Sequence, residues 1–248
     1  MPSDTTPPSE YVSAKKLARP SLLDCRVYGF ATVFVNKPLV TEHDPGVDVM
    51  RISEMVASGV FPHLANAMKS VVGLDIMMRK RLKIPMRVMS LLCSEFPAQR
   101  SPEWHAERRK LLTASETASV LGDNKYQTSA QLMEQKIAGT TLDDNEAMAH
   151  GRLYEDEALQ LFVELTQVPC FALGLVTWHE HGVGASVDAI TYDGRIIEIK
   201  CPLNRWVRKG IVPKAYNHQM QQQALVIEKA ARVTNSFIFY VEYKVRQA

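Results

Sequence analysis

Cysteine is scarce in this sequence, and the cysteines lie far apart. The 248 residues include only four, namely Cys25, Cys93, Cys170 and Cys201. Structural zinc sites place pairs of cysteine or histidine ligands a few residues apart, so this spacing excludes a cysteine-based zinc motif. A disulfide framework is not expected either, because such frameworks are typical of small secreted domains.

Long hydrophobic runs are missing as well. No segment of the chain approaches the roughly 20 apolar residues of a membrane-spanning helix. The sequence also lacks the pattern of a secretory signal peptide. We therefore expect an intracellular protein with reduced thiols, which is not secreted and has no membrane partner.

A strong charge of one sign is the third absence. The chain has 29 Lys and Arg against 27 Asp and Glu, a formal net charge of +2. The overall charge therefore does not by itself indicate a nucleic-acid-binding protein. The basic residues are nevertheless clustered within 79–83, 108–110 and 205–214. Two of these clusters lie close in sequence to the candidate site residues below, which favours a phosphate-binding surface.

The pattern of the chain predicts three regions. Residues 1–20 begin with a polar, proline-rich segment and are predicted to be flexible. Residues 21–100 are predicted to be mainly helical, apart from a strand at 26–35 that is rich in β-branched and aromatic residues. Residues 101–248 form the predicted main domain.

The main domain is predicted to combine helices and strands. One helix is predicted to begin at Thr113, which has capping-box spacing to Glu116, and two more to cover 145–166 and 214–229. Strands are predicted at 171–178, 185–191, 195–200 and 236–243. This order predicts an α/β or α+β fold with a mixed central β-sheet flanked by helices.

The stretch ASVDAITYDGRIIEIKCP, residues 185–202, carries three charged side chains inside a strand-like pattern: Asp188, Glu198 and Lys200. Side chains alternate along a strand, so Glu198 and Lys200 share one face and the neighbouring isoleucines share the other. Unpaired charges in a half-buried strand are costly, so this concentration calls for a chemical reason.

The turn between these two strands determines whether the carboxylates meet. A two-residue turn would pair Asp188 with Ile199 and place the two carboxylates on opposite faces. A three-residue loop at 192–194, with Gly194 in a left-handed conformation, pairs Asp188 with Glu198 instead. We predict the second register, because only this one brings the carboxylates together.

A pair of facing carboxylates indicates a metal ion. The two groups repel, and one would take up a proton unless a cation lay between them. Hard oxygen ligands with few neighbouring His or Cys suit Mg²⁺, for which Mn²⁺ can substitute. We predict that Asp188 and Glu198 bind the metal with the Ile199 carbonyl, that Glu155 completes a second ion's shell, and that Lys200 lies near the attacking water. The alternative is a hairpin in which Lys200 merely forms a salt bridge with a carboxylate.

An Asp followed after a gap by Glu-x-Lys on a strand is the PD-(D/E)XK nuclease signature. The chain contains five blocks in one order, RRKLLTASE, GRLYEDEA, GASVDAI, IEIKCP and HQMQQQA. Together they resemble the phage lambda exonuclease group, also called YqaJ-type viral recombinases or alkaline exonucleases, from about Glu103 to Val241. The resemblance implies a restriction-endonuclease-like core within 101–248. The chain departs from the signature at Val187, where Pro is usual.

The resemblance also implies roles for individual residues. Asp188, Glu198 and Lys200 match the catalytic triad, and Glu155 matches a helix carboxylate near the second metal ion. Four residues match those that hold a DNA 5′-phosphate: Arg108, Ser115, Ser186 and Gln221. Ser115 also falls in the first turn of a predicted helix, where free N–H groups favour phosphate, although simple helix capping is the alternative at that position.

The leading prediction is therefore a Mg²⁺-dependent deoxyribonuclease with two ions, an exonuclease that starts at duplex ends and degrades one strand 5′ to 3′. An endonuclease on RNA or DNA is the alternative, because the core residues do not distinguish these substrates. An iron–sulfur nuclease would need several cysteines after the catalytic lysine, and only Cys201 follows it. An inactive end-binding module would have a broken triad, whereas this triad is intact.

The resemblance further indicates a setting for this activity, namely viral or phage-type DNA recombination or genome processing. The expected partners are double-stranded DNA ends, a single-strand annealing protein and further copies of the chain. If the source is viral, we expect the protein in the host cytoplasm or nucleus.

Overall fold

The structure is a computed structural model that describes residues 26–34, 46–140, 145–205, 207, 211–233 and 237–245. For 26–34 and residue 237 the description is of the backbone alone. The segment 1–20, which was predicted to be flexible, lies outside the described residues.

The chain folds into ten strands and nine helices over the described ranges. The strands are β1 (Arg26–Phe34), β2 (Val47–Asp48), β3 (Lys83–Ile84), β4 (Leu112–Thr113), β5 (Cys170–Phe171), β6 (Leu175–Trp178), β7 (Val183–Ser186), β8 (Ala189–Thr191), β9 (Ile196–Lys200) and β10 (Phe237–Val245). The helices are α1 (Val49–Ala57), α2 (Pro62–Lys69), α3 (Leu74–Lys80), α4 (Met86–Leu92), α5 (Pro102–Lys110), α6 (Thr117–Val120), α7 (Ser129–Ala138), α8 (Glu146–Thr166) and α9 (Lys214–Ala231). Single turns of 3-10 helix cover Ala114–Glu116 and His179–His181.

The central sheet has five strands in the order β1-β10-β9-β8-β5. β10 and β9 run parallel, and the other neighbouring pairs are antiparallel. A parallel pair requires a crossover, and the segment containing α9 supplies it between β9 and β10. The predicted class, an α/β fold with a mixed central sheet flanked by helices, is confirmed.

The two long helices pack on opposite faces of this sheet. α9 contributes Met220 and Ile227 to a buried cluster that contains Ile196 of β9. α8 contributes Phe162 to a second cluster, which contains Ile197 of β9. Side chains alternate along a strand, so Glu198 and Lys200 project on the same side as Ile196, toward α9.

Two strands that were predicted to be continuous are each divided into two in the structure, so that prediction is wrong. The predicted strand 171–178 divides into β5 and β6, and 185–191 divides into β7 and β8, because the chain passes between two sheets. β6 and β7 belong to a three-stranded sheet in the order β4-β7-β6, whereas β5 and β8 belong to the central sheet. The hydrophobic pattern continues across the crossing, so it does not reveal the change of pairing partner. The second crossing places Asp188 between the two sheets.

The helices that precede residue 100 share a core with the central sheet. Ile52 of α1, Leu64 of α2 and Val88 of α4 lie in the same buried cluster as Ile190 of β8. The division of the chain at residue 100, which the sequence pattern suggested, stays a prediction. Over the described ranges, no helix is long and apolar enough to cross a membrane.

The loop between β8 and β9 has the three-residue form that was predicted. The Thr191 N–H donates to the Arg195 carbonyl at 2.8 Å, which leaves residues 192–194 as the loop. Gly194 has φ +95°, a conformation that L side chains rarely adopt. A Cβ atom added to Gly194 would lie 2.8 Å from a Val88 methyl and 3.0 Å from a Val233 methyl. The loop therefore requires glycine for its backbone conformation and also for space.

Replacing Gly194 by alanine tests both requirements. We expect Gly194→Ala to lower the free energy of unfolding by about 2–4 kcal/mol, because left-handed strain adds to overpacking. Gly139 is the matched control, since it has φ +68° and no atom of the described residues lies within 4 Å of an added Cβ. Gly139→Ala should cost only about 1–2 kcal/mol, the strain alone. Denaturant unfolding of both variants measures the difference, and equal losses would contradict the close packing at Gly194.

Candidate active site

The hairpin brings Asp188 and Glu198 together. Ala189 pairs with Ile197 in the β8–β9 register, so the next position pairs Asp188 with Glu198. The Ile199 N–H donates to Asp188 Oδ2 at 2.6 Å, which fixes the carboxylate at the edge of β9. Sequence reasoning predicted this register from the turn, and it is confirmed.

Glu198 is completely buried and is surrounded by hydrogen-bond donors. Lys200 Nζ and Gln219 Nε2 both donate to Oε1, the latter at 2.7 Å. Gln223 Nε2 donates to Oε2 at 2.6 Å. The ion pair with Lys200 is the one that a simple salt-bridged hairpin would also contain, so the surroundings must decide between the two interpretations.

Two carboxyl groups and one ammonium lie together at this position. Burial raises the pKa of Asp188 well above its usual range, and the Glu198 charge raises it further. Burial opposes the charge on Lys200, but the carboxylates of Glu198 and Asp188 outweigh it and raise the pKa of the ammonium. The Lys200 ammonium is thus shared by the carboxyl groups of Asp188 and Glu198, and a further cation would stabilise their ionised forms.

Glu155 joins this group from α8. Its pKa is raised by burial, while Arg100 and Lys200 oppose the rise, so Glu155 lies within electrostatic reach of the hairpin. Arg100 Nη2 donates to Glu155 Oε2 at 3.0 Å, and its backbone is left-handed with φ 69°. In the described part of the chain, no three Asp, Glu, His or Cys side chains converge as a ready-made metal site. Here Glu155 pairs with Arg100, and Glu198 with Lys200.

The donors that are present fit a hard divalent cation. Asp188, Glu198 and Glu155 offer carboxylate oxygens, the ligands that Mg²⁺ and Mn²⁺ prefer. Burial, and after it the Glu198 charge, raise the pKa of Asp188, and a cation bound beside Asp188 would favour its ionised form. These residues are therefore suitable for holding the predicted metal, with the Ile199 carbonyl as a further predicted ligand.

Three of the four predicted phosphate-binding residues form a second, adjoining group. Arg108 Nη2 donates to Ser115 Oγ at 3.1 Å. The Arg108 guanidinium lies 4.4 Å from the centre of the Trp104 ring, and Trp104 Nε1 donates to Ser186 Oγ at 2.8 Å. Burial lowers the pKa of Arg108, although the Glu116 charge opposes this shift. An arginine and two hydroxyls thus surround one indole ring, which suits an anion.

Ser115 does not act as the helix cap that was the alternative for this residue. The capping box is formed by Thr113 and Glu116, and Glu116 Oε2 accepts the Thr113 N–H at 2.8 Å. The Ser115 hydroxyl instead contacts Arg108 and lies 3.3 Å from the Thr113 hydroxyl. Its position one residue into the turn leaves it directed toward the arginine.

Gln221 lies on a different side of α9 from the glutamines that contact Glu198, and its role in the phosphate pocket stays a prediction. Its Nε2 donates to Asn217 Oδ1, one turn earlier on an exposed part of α9. At about 100° per residue, Gln221 lies about 200° around the helix from Gln219, on the side of exposed Leu225. Gln219 and Gln223 are four residues apart, and this spacing turns both toward Glu198.

Sequence reasoning missed four residues of the site. They are Arg100, Trp104 as a hydrogen-bond donor, Gln219 and Gln223. The i, i+4 spacing of the two glutamines in HQMQQQA was a usable signal, because it defines one helix face. Arg100 had no such signal, since its partner lies 55 residues away.

Part of the chain is similar to known proteins. Residues 103–231 match the family model of the YqaJ-like viral recombinase domain. Two solved structures of LHK-Exo, described as an alkaline exonuclease from Laribacter hongkongensis and in one case bound to dAMP, are each 26% identical to this chain. Their TM-scores are 0.45 for the dAMP complex and 0.44 for the other, and each alignment covers 59% of this chain and 83% of the other. Among curated proteins, none matches the chain significantly.

The matched segment contains the carboxylate group, formed by Glu155, Asp188, Glu198 and Lys200, and the arginine group, formed by Trp104, Arg108, Ser115 and Ser186, whereas Arg100 lies just before the segment. It begins at the helix that carries Trp104 and Arg108, includes Asp188 and the Glu198 hairpin, and ends with α9. Because the match extends over more than half of the chain, the protein belongs to the YqaJ-like viral recombinase family.

Proposed function

We propose that the protein is a metal-dependent DNA exonuclease that degrades one strand of a duplex from its 5′ end and acts in recombination. The observation that carries this proposal is the closeness of the arginine group and the carboxylate group where β7 ends. Ser186, in the arginine group, and Asp188, in the carboxylate group, are separated by one residue. A terminal phosphate beside Ser186 would thus lie next to the carboxylates. Membership of the YqaJ-like viral recombinase family supports the same activity.

The residues of the carboxylate group have two proposed roles, which are metal binding and stabilisation of the transition state. Asp188, Glu198 and the Ile199 carbonyl would hold one Mg²⁺, and Glu155 would contribute to a second. When bound, such ions polarise the phosphodiester and make a water molecule more acidic. Lys200 orients that water and offsets the negative charge that develops on the phosphorus oxygens.

The arginine group sets the direction of degradation in this proposal. Arg108 presents a planar, permanently charged fork to phosphate oxygens, and Ser115 and Ser186 add hydroxyl donors. Each cut leaves a new 5′-phosphate on the remaining strand. That phosphate is the next ligand of the same pocket, so binding energy favours movement toward the 3′ end.

Four substrates separate exonuclease from endonuclease activity. The full chain is incubated with 5′-phosphorylated linear duplex, the same duplex with 5′-hydroxyl ends, a closed circular duplex and a structured RNA. We expect stepwise loss of 5′-terminal nucleotides from the phosphorylated duplex in Mg²⁺ or Mn²⁺, and none in EDTA. Cleavage of the closed circle or of the RNA at a comparable rate would favour the endonuclease alternative, and activity in EDTA would overturn the metal dependence.

A further inference from the structure

Gln223 is a buried glutamine whose nitrogen has two partners and whose oxygen has none. The residue is completely buried. Its Nε2 donates to Glu198 Oε2 at 2.6 Å and to the Ser186 carbonyl at 3.1 Å. Its Oε1 has no hydrogen-bond partner among the described residues. Turning the amide around would set an oxygen against two oxygens, so the acceptors determine its orientation.

An unpaired buried oxygen is unfavourable, and few native groups remain in that state. The contacts of the Gln223 nitrogen must therefore outweigh this loss. Both contacts go to the site, one to a carboxylate and one to the backbone of β7. The amide links the carboxylate group directly to the strand that carries the Ser186 hydroxyl.

Gln219, one turn earlier on α9, also restrains the Glu198 carboxylate. It donates to Glu198 Oε1 at 2.7 Å, while Gln223 donates to Oε2. Both carboxylate oxygens are thus held by side chains of a single helix face. This arrangement fixes the plane of the carboxylate against rotation about its last bond, which is otherwise soft.

The donors from α9 are neutral, and this matters for a metal ligand. An arginine or lysine at position 223 would also hold the carboxylate, but its charge would compete with a cation. An amide orients the carboxylate and leaves its negative charge in place. Among the described residues, Lys200 is the one formal cation paired with Glu198, so Asp188 remains for an added ion.

We propose that Gln223 is a positioning residue, which holds the Glu198 carboxylate in the orientation that a divalent cation requires and sets its spacing from the phosphate pocket through Ser186. This inference rests on the proposed function, because it assigns Glu198 to a metal ion. It concerns a residue that contacts neither the substrate nor the cation, and its effect passes through Glu198.

Binding of Mn²⁺ to the full chain without DNA, measured by calorimetry or electron paramagnetic resonance, tests the inference. We expect Gln223→Met to weaken Mn²⁺ binding by about tenfold or more, the effect typical of removing a hydrogen bond to a metal ligand. The maximal cleavage rate should fall, while the KM for DNA ends should change by no more than about twofold, since phosphate contacts dominate DNA binding.

Gln222 provides a matched control on the same helix. It also bonds to the two neighbouring strands, through the Leu112 carbonyl at 2.9 Å and the Gly184 carbonyl at 3.4 Å, and it accepts from Thr117. Gln222→Met should lower thermal stability but leave the Mn²⁺ affinity within about twofold of wild type, since no metal ligand is disturbed.

The results of these measurements distinguish a failure of the positioning role of Gln223 from a failure of the proposed metal-dependent function. Equal Mn²⁺ affinity in wild type and Gln223→Met, or equal weakening in Gln223→Met and Gln222→Met, would overturn the positioning role alone. A wild-type protein that binds no Mn²⁺ would overturn the proposed function as well. If Gln223→Met does not fold, Gln223→Asn withdraws the amide by one methylene, and unchanged Mn²⁺ affinity in that variant would equally overturn the role.

Discussion

Replacing Lys200 by alanine is expected to reduce DNA cleavage by at least about 1,000-fold, because the ammonium acts on charge that develops only in the transition state. Binding to DNA ends should change by no more than about threefold, since contacts with the phosphate backbone elsewhere supply most of the affinity. Single-turnover cleavage and a filter-binding or anisotropy titration measure the two quantities. Asp188→Asn should behave similarly in cleavage, because it keeps the shape of the side chain but loses the charge that a metal ion needs.

A control variant must show that removing a lysine elsewhere in the chain does not reduce cleavage. Lys229 lies near the C-terminal end of α9, where its ion-pair partner is Glu228 at 3.9 Å. Lys229→Ala should therefore cleave at close to the wild-type rate. Circular dichroism in Mg²⁺ should show both site variants folded. Residual activity of Lys200→Ala within about tenfold of wild type would remove Lys200 from the catalytic role.

The second large effect concerns the chemical state of the DNA end. Arg108 makes a charge-assisted contact with a terminal phosphate in our proposal, and such contacts are worth roughly 1.5–3 kcal/mol. Wild-type protein should therefore degrade 5′-phosphorylated ends about tenfold or more faster than 5′-hydroxyl ends. Arg108→Ala should remove this preference by slowing the reaction on phosphorylated ends. Initial rates on the two substrates, compared in one buffer, give the ratio directly.

Arg109 is the control for this experiment. It carries the same charge on the same helix, but it is exposed, whereas Arg108 contacts Trp104 and Ser115. Arg109→Ala should keep the preference for phosphorylated ends and lower both rates slightly, as expected for loss of a distributed charge. Equal wild-type rates on both ends, or a preference that survives Arg108→Ala, would favour the endonuclease alternative.

The carboxylate pair was the part of the site that local sequence determined. The loop 192–194 has a glycine at its last position, and the flanking residues alternate, so only one register brings Asp188 to Glu198. The two carboxylates come from one short stretch of sequence, residues 188–198. The structure has the predicted loop, with Gly194 at φ +95°.

Other parts of the site depend on contacts between distant segments. The split between β7 and β8 follows from pairing with two different sheets, which the local hydrophobic pattern does not encode. Arg100 reaches Glu155 across 55 residues, and its left-handed backbone is unusual for arginine. The orientation of α9, which turns Gln219 and Gln223 toward Glu198, is likewise a property of packing that the resemblance did not reveal.

One measurement addresses the central claim, that carboxylates which bind a divalent metal lie beside a pocket for a terminal 5′-phosphate. The Lys200→Ala variant, which is expected to be inactive, is crystallised with Mn²⁺ and a 5′-phosphorylated duplex, and anomalous diffraction locates the metal. Our account predicts Mn²⁺ between Asp188 and Glu198, and the terminal phosphate within hydrogen-bond distance of Arg108 and Ser115. Mn²⁺ bound away from Asp188, or a terminal phosphate bound away from Arg108, would contradict it.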